Sequence, residues 1–132
     1  MREIALDTQA ATTVAIIDDG RVLGRAQNDS GRHHAESITP LVREVLAAAG
    51  LPAQLADAGI DRVLVGTGPA PFTGLRAGLV SARVLASVAG VPAYGVSALD
   101  VIARQGLDLL APDTRVYAIA DARRRELYWG SY

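Results

Sequence analysis

Residues 62–96, RVLVGTGPAPFTGLRAGLVSARVLASVAGVPAYGV, contain the pattern from which the fold of this protein can be predicted. The apolar run Arg62–Thr67 is typical of a buried strand, and the Ala-, Leu- and Val-rich run Thr73–Ala89 indicates a helix that Gly90 ends. A further short apolar run, Val91–Val96, predicts the next strand. Strand, helix and strand in this order form a βαβ unit, in which the two strands are parallel and the crossover is right-handed.

Three short strands are predicted before this unit. The runs Ile4–Leu6, Thr12–Ile17 and Arg21–Leu23 are aliphatic or β-branched, and turn signals such as Asp18-Asp19-Gly20 separate them. They predict an antiparallel meander. With the βαβ unit, the result is an α/β fold: a mixed five-stranded sheet, three strands antiparallel and two parallel, flanked by helices.

Two more helices complete this prediction. Apolar residues spaced by three and four predict a helix over Ile38–Ala49, with Pro40 in its first turn and Gly50 as its stop. Ser97 and Asp100 resemble a capping box that opens another helix.

The end of the chain repeats the plan of its beginning. Arg115–Asp121 is an apolar strand that ends in Asp, as the first strand ends in Asp7, and the strand-like run Leu127–Trp129 follows a short turn. We therefore expect a lobe at residues 1–110 and the start of a second, truncated lobe at 111–132.

The composition excludes several kinds of chemistry. The 132 residues carry a net charge of −1, contain no cysteine, and have arginine at all thirteen basic positions. Disulfides, thiolate catalysis and a phosphate-binding lysine are thus excluded within the chain. The N-terminus lacks a signal-peptide pattern, and Gly90 and Pro92 interrupt the most apolar window, Val84–Leu99. We expect a cytoplasmic protein.

The glycine-rich turn at 66–74 fits no phosphate-binding motif. Registered on Gly66, the P-loop pattern requires Gly and Lys where the chain has Pro71 and Phe72. Pro69 and Pro71 also lack the N–H groups that such a loop directs at phosphate. We expect a structural turn.

The helix after this turn is apolar nearly all round. Gly74, Gly78 and Leu85 lie on one stripe, and Val80 and Val84 lie on the far side. A small lobe leaves part of such a helix uncovered, which predicts a partner surface where the glycines allow close approach. The alternative is that a second lobe or the Ile38–Ala49 helix covers that face.

Several motifs of the sequence resemble those of the TsaB family. They are spread in order over nearly the whole chain and include the specific block Phe-Thr-Gly-Leu-Arg. The matching segments are Leu6-Asp7-Thr8, His34-Ala35-Glu36 with Pro40, Gly66–Gly78, Gly95–Leu99 and Asp121-Ala122-Arg123 followed by Tyr128.

The resemblance implies an actin-like ATPase (ribonuclease H-like) fold and a role in tRNA modification. It implies a non-catalytic accessory subunit, without cofactor or metal, that assists TsaD in transferring a threonylcarbamoyl group to a tRNA adenosine. The implied partners are a TsaD-like subunit, a TsaE-like ATPase, a second copy of the chain, and tRNA indirectly through the complex.

The resemblance also implies that the first two helices form the partner interface. On this basis we expect Gly78→Arg to abolish association with TsaD while leaving the monomer folded. The expected interface residues are Ile38, Leu41, Val42, Val45, Gly74, Leu75, Gly78, Ala82 and Leu85.

The chain departs from the family's sequence pattern at two places, and two alternative functions remain open. Ala70 and Pro71 replace the Gly and Ser that are usual in the family's loop, and Gln9 follows Thr8 where the family has Ser or Ala. Asp7 and Asp121 end equivalent strands and mark a vestigial nucleotide site. An actin-like ATPase or sugar-kinase-like phosphotransferase is one alternative function, and a glycoprotease-type peptidase is the other.

For two polar clusters we favour a structural role over a binding role. His33, His34 and Glu36 lack a further ligand at a metal-binding spacing, and Glu36 suits the helix dipole. The basic run Arg123–Arg125 is typical of a solvated turn, with contact to tRNA phosphate as the alternative.

Overall fold

A computed structural model describes residues 1–30 and 33–132. A five-stranded sheet has the strand order β3-β2-β1-β4-β5, and β6 and β7 form a separate two-stranded sheet. The elements are β1 (Arg2–Asp7), β2 (Thr12–Asp18), β3 (Arg21–Asn28), α1 (His34–Ala48), β4 (Arg62–Gly66), α2 (Phe72–Ala89), β5 (Ala93–Val96), α3 (Ala98–Leu107), β6 (Tyr117–Arg123) and β7 (Glu126–Ser131), with a 3-10 turn at Leu55–Asp57.

The predicted mixed sheet is confirmed. Strands β1, β2 and β3 pair antiparallel, and β4 is parallel to both β1 and β5. Strand β5 begins at Ala93, not at Val91, while the carbonyl of Pro92 already accepts a hydrogen bond from Val63. Ser97 caps α3 as predicted, since its side chain accepts from the backbone N–H of Leu99.

Helix α1 starts four residues earlier than predicted. It begins at His34, so Pro40 lies inside the helix and not in its first turn. A proline there removes the intrahelical bond to the carbonyl of Glu36. Both residues are exposed, so water can satisfy that carbonyl.

The core lies between one face of the sheet and helices α1 and α2. Strand residues alternate, so that one set faces the helices and the other faces the opposite side. Gly24 of β3 allows α1 to approach closely, because an added Cβ would lie 2.9 Å from the carbonyl oxygen of Val45. The core residues include Ile4, Leu6, Val14, Ile16, Val63 and Val65 of the sheet and Ile38, Leu41, Val42, Val45 and Leu46 of α1.

Among the residues that the structure describes, strands β6 and β7 pair with each other alone, and the hairpin that they form packs against α3. The hydroxyl of Tyr132 donates to Asp100 of α3 at 2.5 Å, and this bond raises the pKa of Tyr132. The face of the hairpin that points away from α3 carries four exposed residues: Tyr117, Ile119, Leu127 and Trp129. The division at residues 110 and 111 stays a prediction.

Candidate docking surface and sheet cleft

The small residues of α2 lie on its inner side, where Gly74 and Gly78 face the chain's own turn between β1 and β2. Gly74, Gly78, Ala82 and Ala86 are all buried. An added Cβ at Gly74 would lie 2.7 Å from the carbonyl oxygen of Thr8, and one at Gly78 would overlap the hydroxyl of Thr8. The glycines therefore allow close approach to Thr8 of the same chain, whereas the sequence pattern assigns that approach to a partner.

This packing corrects the predicted interface residues. Ile38, Leu41, Val42 and Val45 lie in the core at 4%, 6%, 7% and 0% exposure, so they are not available to a partner. The same holds for Gly74, Gly78 and Ala82 of α2. Leu75 and Leu85 are half-buried, and Leu85 packs against the core.

The expected loss of association for Gly78→Arg stays a prediction, but the packing at this position opposes the expectation that the monomer is left undisturbed. A side chain at position 78 would collide with Thr8, whose Cγ2 lies 3.2 Å from the added Cβ. The substitution would disturb the monomer itself, so it cannot test association.

The exposed apolar face of α2 lies on the other side of the helix. Phe72, Val80, Val84 and Val88, which we call the valine face, are 76%, 55%, 56% and 57% exposed. Arg76 completes this row at a spacing of four residues. The signal was present in the sequence: β-branched valines recur every fourth residue, whereas the small residues that suit close packing lie opposite.

Length and composition alone would allow α2 to cross a membrane. Its 18 residues have a mean hydropathy of 1.2, and only 22% of them are buried. The buried ones pack on the sheet and on Thr8, which makes α2 a helix of this domain with one apolar face left open.

The two histidines near the start of α1 have separate partners. Nδ1 of His34 shares a hydrogen bond of 2.7 Å with the hydroxyl of Thr12. Nδ1 of His33 lies 3.5 Å from the carboxylate of Glu36, and both side chains are exposed. Across residues 1–30 and 33–132, no three His, Asp or Glu side chains form a group that could hold a metal ion.

The sheet face opposite α1 and α2 holds an open cleft of about 420 Å³ beside α3. Asp7 and Gln9 lie at one end, and the remaining lining is mostly aliphatic, including Val101 and Ile102 of α3. Oδ1 of Asp7 accepts a hydrogen bond from the backbone N–H of Gln9 at 3.0 Å. Among the described residues that line the cleft, none is basic, so the wall offers no cation to a phosphate.

The two predicted nucleotide-site aspartates are not brought together in this cleft. Asp7 lines it, whereas Asp121 lies on the hairpin, where its side chain accepts from the N–H of Arg123 at 2.7 Å. The basic run Arg123, Arg124 and Arg125 occupies the hairpin turn with φ of 62°, 52° and 66°. Its predicted position in a turn is correct.

The glycine-rich turn connects β4 to α2 and contacts the start of α3. The carbonyl of Gly68 accepts from the N–H of Ala98 at 2.8 Å, and the N–H of Thr67 donates to the carbonyl of Val96 at 2.9 Å. Gly68 has a φ of 88°, whereas Ala70 is not in the left-handed region, so the departure from the family's glycine at position 70 is compatible with this backbone. These hydrogen bonds support the prediction that the turn has a structural role.

Comparisons with known proteins agree on the family. A family model described as TsaD, tRNA N6-adenosine threonylcarbamoyltransferase, matches residues 25–132. An uncharacterized protein of Mycobacterium tuberculosis is 46% identical over 98% of this chain and 58% of its own length. The Escherichia coli tRNA threonylcarbamoyladenosine biosynthesis protein TsaB is 39% identical over 100% of this chain and 55% of its own length.

Solved structures show the same relationship. YeaZ from Pseudomonas aeruginosa superposes with a TM-score of 0.83 at 35% identity, covering 99% of this chain and 59% of its own. A hexokinase and RuvC from Thermus thermophilus, with TM-scores of 0.52 and 0.51 and 16% and 18% identity, share the fold alone, which is the predicted actin-like, ribonuclease H-like class. This chain thus spans between one half and two thirds of the length of these TsaB and YeaZ relatives. The chain belongs to the family whose model is described as tRNA N6-adenosine threonylcarbamoyltransferase, and within it the chain is TsaB-like.

Proposed function

We propose that the chain acts in threonylcarbamoyladenosine biosynthesis on tRNA as a non-catalytic scaffold that docks a TsaD-like subunit. The relatives named TsaB are biosynthesis proteins of this modification, which supports the pathway. The open valine face of α2 is the observation that supports docking.

The chemistry of the valine face suits a protein partner. Three valines and a phenylalanine lie in one row along a helix of 18 residues, which is roughly 27 Å long. Exposed apolar surfaces of this kind mark interaction sites. Side chains that become buried at the centre of an interface carry most of its binding energy. Arg76 lies within the row, and Arg83 is exposed next to Val84, so we expect the partner to present an apolar helix face with acidic side chains opposite these arginines.

The test is light scattering of the chain alone and mixed with its TsaD-like subunit, with Val84→Arg as the variant. Val84 is 56% exposed, so the substitution should leave the unfolding midpoint unchanged. Burying an unpaired arginine in the interface should weaken association at least tenfold.

Val22→Arg is a matched control. Val22 is also a valine and is 58% exposed, but it lies on the edge strand β3. It should associate as the unchanged chain does. Equal association of the Val84→Arg chain would reject the valine face as the docking surface, and no association of the unchanged chain would reject the scaffold function.

An ATPase is the second candidate, and the cleft at Asp7 is the observation that favours it. Asp7 lies at the carboxyl end of β1, beside the cleft of about 420 Å³. Isothermal titration with ATP and magnesium distinguishes the two functions: we expect no tight binding, because the lining described above is acidic and apolar. Tight binding with turnover would support the enzyme instead.

A further inference from the structure

Thr8 is a buried polar residue whose side chain contacts helix α2. It follows β1 in the turn to β2 and is 2% exposed. Its hydroxyl donates to the carbonyl oxygen of Gly74, in the first turn of α2, at 2.6 Å. Buried hydroxyl groups need a partner, and this one has it in the helix backbone.

The helix is shaped to fit Thr8 at two positions one turn apart. At Gly74 the backbone approaches the carbonyl oxygen of Thr8, and at Gly78 it approaches the Thr8 side chain, at distances that leave no room for a Cβ. One position supplies a directed hydrogen bond and the other a steric contact. Together they define both the height and the rotation of α2 above the sheet.

The same turn also holds the start of α1. Thr12 is completely buried, and its hydroxyl is 2.7 Å from Nδ1 of His34. The His34 ring in turn lies beside Gly74, where its Cδ2 and Nε2 would be 3.2 Å from an added Cβ. The first turns of both helices are thus packed against one short segment, residues 8–12.

We propose that the Thr8 hydroxyl is a positioning group for the docking surface: it sets the rotation of α2 and so the presentation of the valine face. This inference rests on the proposed docking function. Thr8 cannot touch a partner, because it lies on the inner side of the helix. A rotation of α2 by roughly 10° would move the outer side chains by about 1 Å, given a helix diameter near 10 Å. Displacements of that size matter at a packed interface.

The experiment compares two substitutions at this position by titration against the TsaD-like subunit. Thr8→Val keeps the shape and removes the hydroxyl, whereas Thr8→Ser keeps the hydroxyl and removes the methyl group. Because the hydrogen bond is within the chain, its loss weakens binding only through the cost of holding α2 at its docking rotation, which is at most the contribution of that bond. We therefore expect affinity to fall by up to about tenfold for Thr8→Val and by less than about threefold for Thr8→Ser. Should the valine chain fail to fold, Thr8→Ala takes its place with the same expectation.

A second variant separates positioning from loss of stability. Ile16→Val shortens a fully buried side chain of β2, in the core, and should lower the unfolding midpoint while leaving affinity unchanged. All titrations are made well below the lowest unfolding midpoint.

The outcomes are distinct. Tight binding by the unchanged chain with equal binding by Thr8→Val overturns the positioning role and leaves the docking function standing. Parallel losses of affinity in Thr8→Val and Ile16→Val overturn it as well, because stability alone would explain them. Absence of binding by the unchanged chain overturns both proposals.

Discussion

The two sides of α2 are both apolar but differ in the size of their side chains. The inner side carries the buried Gly74, Gly78, Ala82 and Ala86, with Leu79 and Leu85 packed partly buried beside them, whereas the outer side carries valines and a phenylalanine that the described part of the chain leaves exposed. Small residues lie inward because the helix backbone approaches its own chain too closely for larger ones. Hydrophobicity alone therefore does not identify the row of such a helix that lies closest to its own chain, whereas the row of small side chains does.

The glycines of this helix also differ in their roles. Gly78 is required for space, since a side chain would meet Thr8. Gly90 ends α2 with a φ of 68° and has no atom within 4 Å of an added Cβ, so it is required for its backbone conformation only. Substitutions at the two positions should therefore have different consequences.

The largest expected effect is at the inner side. Gly78→Val should lower the free energy of unfolding by about 3 kcal/mol, because the branched side chain overpacks the contact with Thr8. Chemical denaturation followed by circular dichroism measures it. A loss below about 1 kcal/mol would mean that α2 can move away from Thr8 without cost, and would remove the basis for the positioning role.

A smaller effect is expected at the end of the helix. Gly90→Ala should lower the free energy of unfolding by about 1 kcal/mol, since an alanine is disfavoured in the left-handed region. The same denaturation experiment measures it. Because Gly90 lies beyond the valine face, affinity for the partner should stay as it is, and a change in affinity would show that the docking surface extends past the helix end.

The smallest effect on the monomer is expected at the outer side. Val88→Thr replaces a methyl group by a hydroxyl on a side chain that is 57% exposed, so the free energy of unfolding should change by less than about 0.5 kcal/mol. Association should weaken by about threefold, as is usual for a polar group near the rim of an interface. Sedimentation equilibrium measures the association, and chemical denaturation measures the free energy of unfolding. A loss of more than about 1 kcal/mol in the free energy of unfolding would show that Val88 is packed within the chain.

The helix boundaries illustrate what sequence reasoning could predict. The βαβ unit, the meander and the Ser97 cap follow from periodicity and turn chemistry, which act between residues close in sequence. The preference of proline for the first turn predicts a start near Ile38, whereas α1 begins at His34, because a helix tolerates a proline further in where the residue with the freed carbonyl is exposed to water.

The candidate site was less predictable. That the apolar α2 helix would keep an uncovered face followed from its composition, but most of the predicted interface residues are buried, and the part of this burial that Thr8 causes depends on a contact between residues 66 positions apart. The hydrogen bond between Thr12 and His34 has no local signal either. Side-chain size along the helix was the one clue present in the sequence.

The amino-acid sequence by itself determined the order and type of the elements, the mixed sheet and the family, because these depend on local patterns and on motifs read along the chain. Only the tertiary structure decided which side of α2 is covered and where Asp121 stands relative to Asp7. Those features depend on how closely backbones approach across the fold, and the two glycines that admit Thr8 acquire their meaning only when the β1–β2 turn is in place.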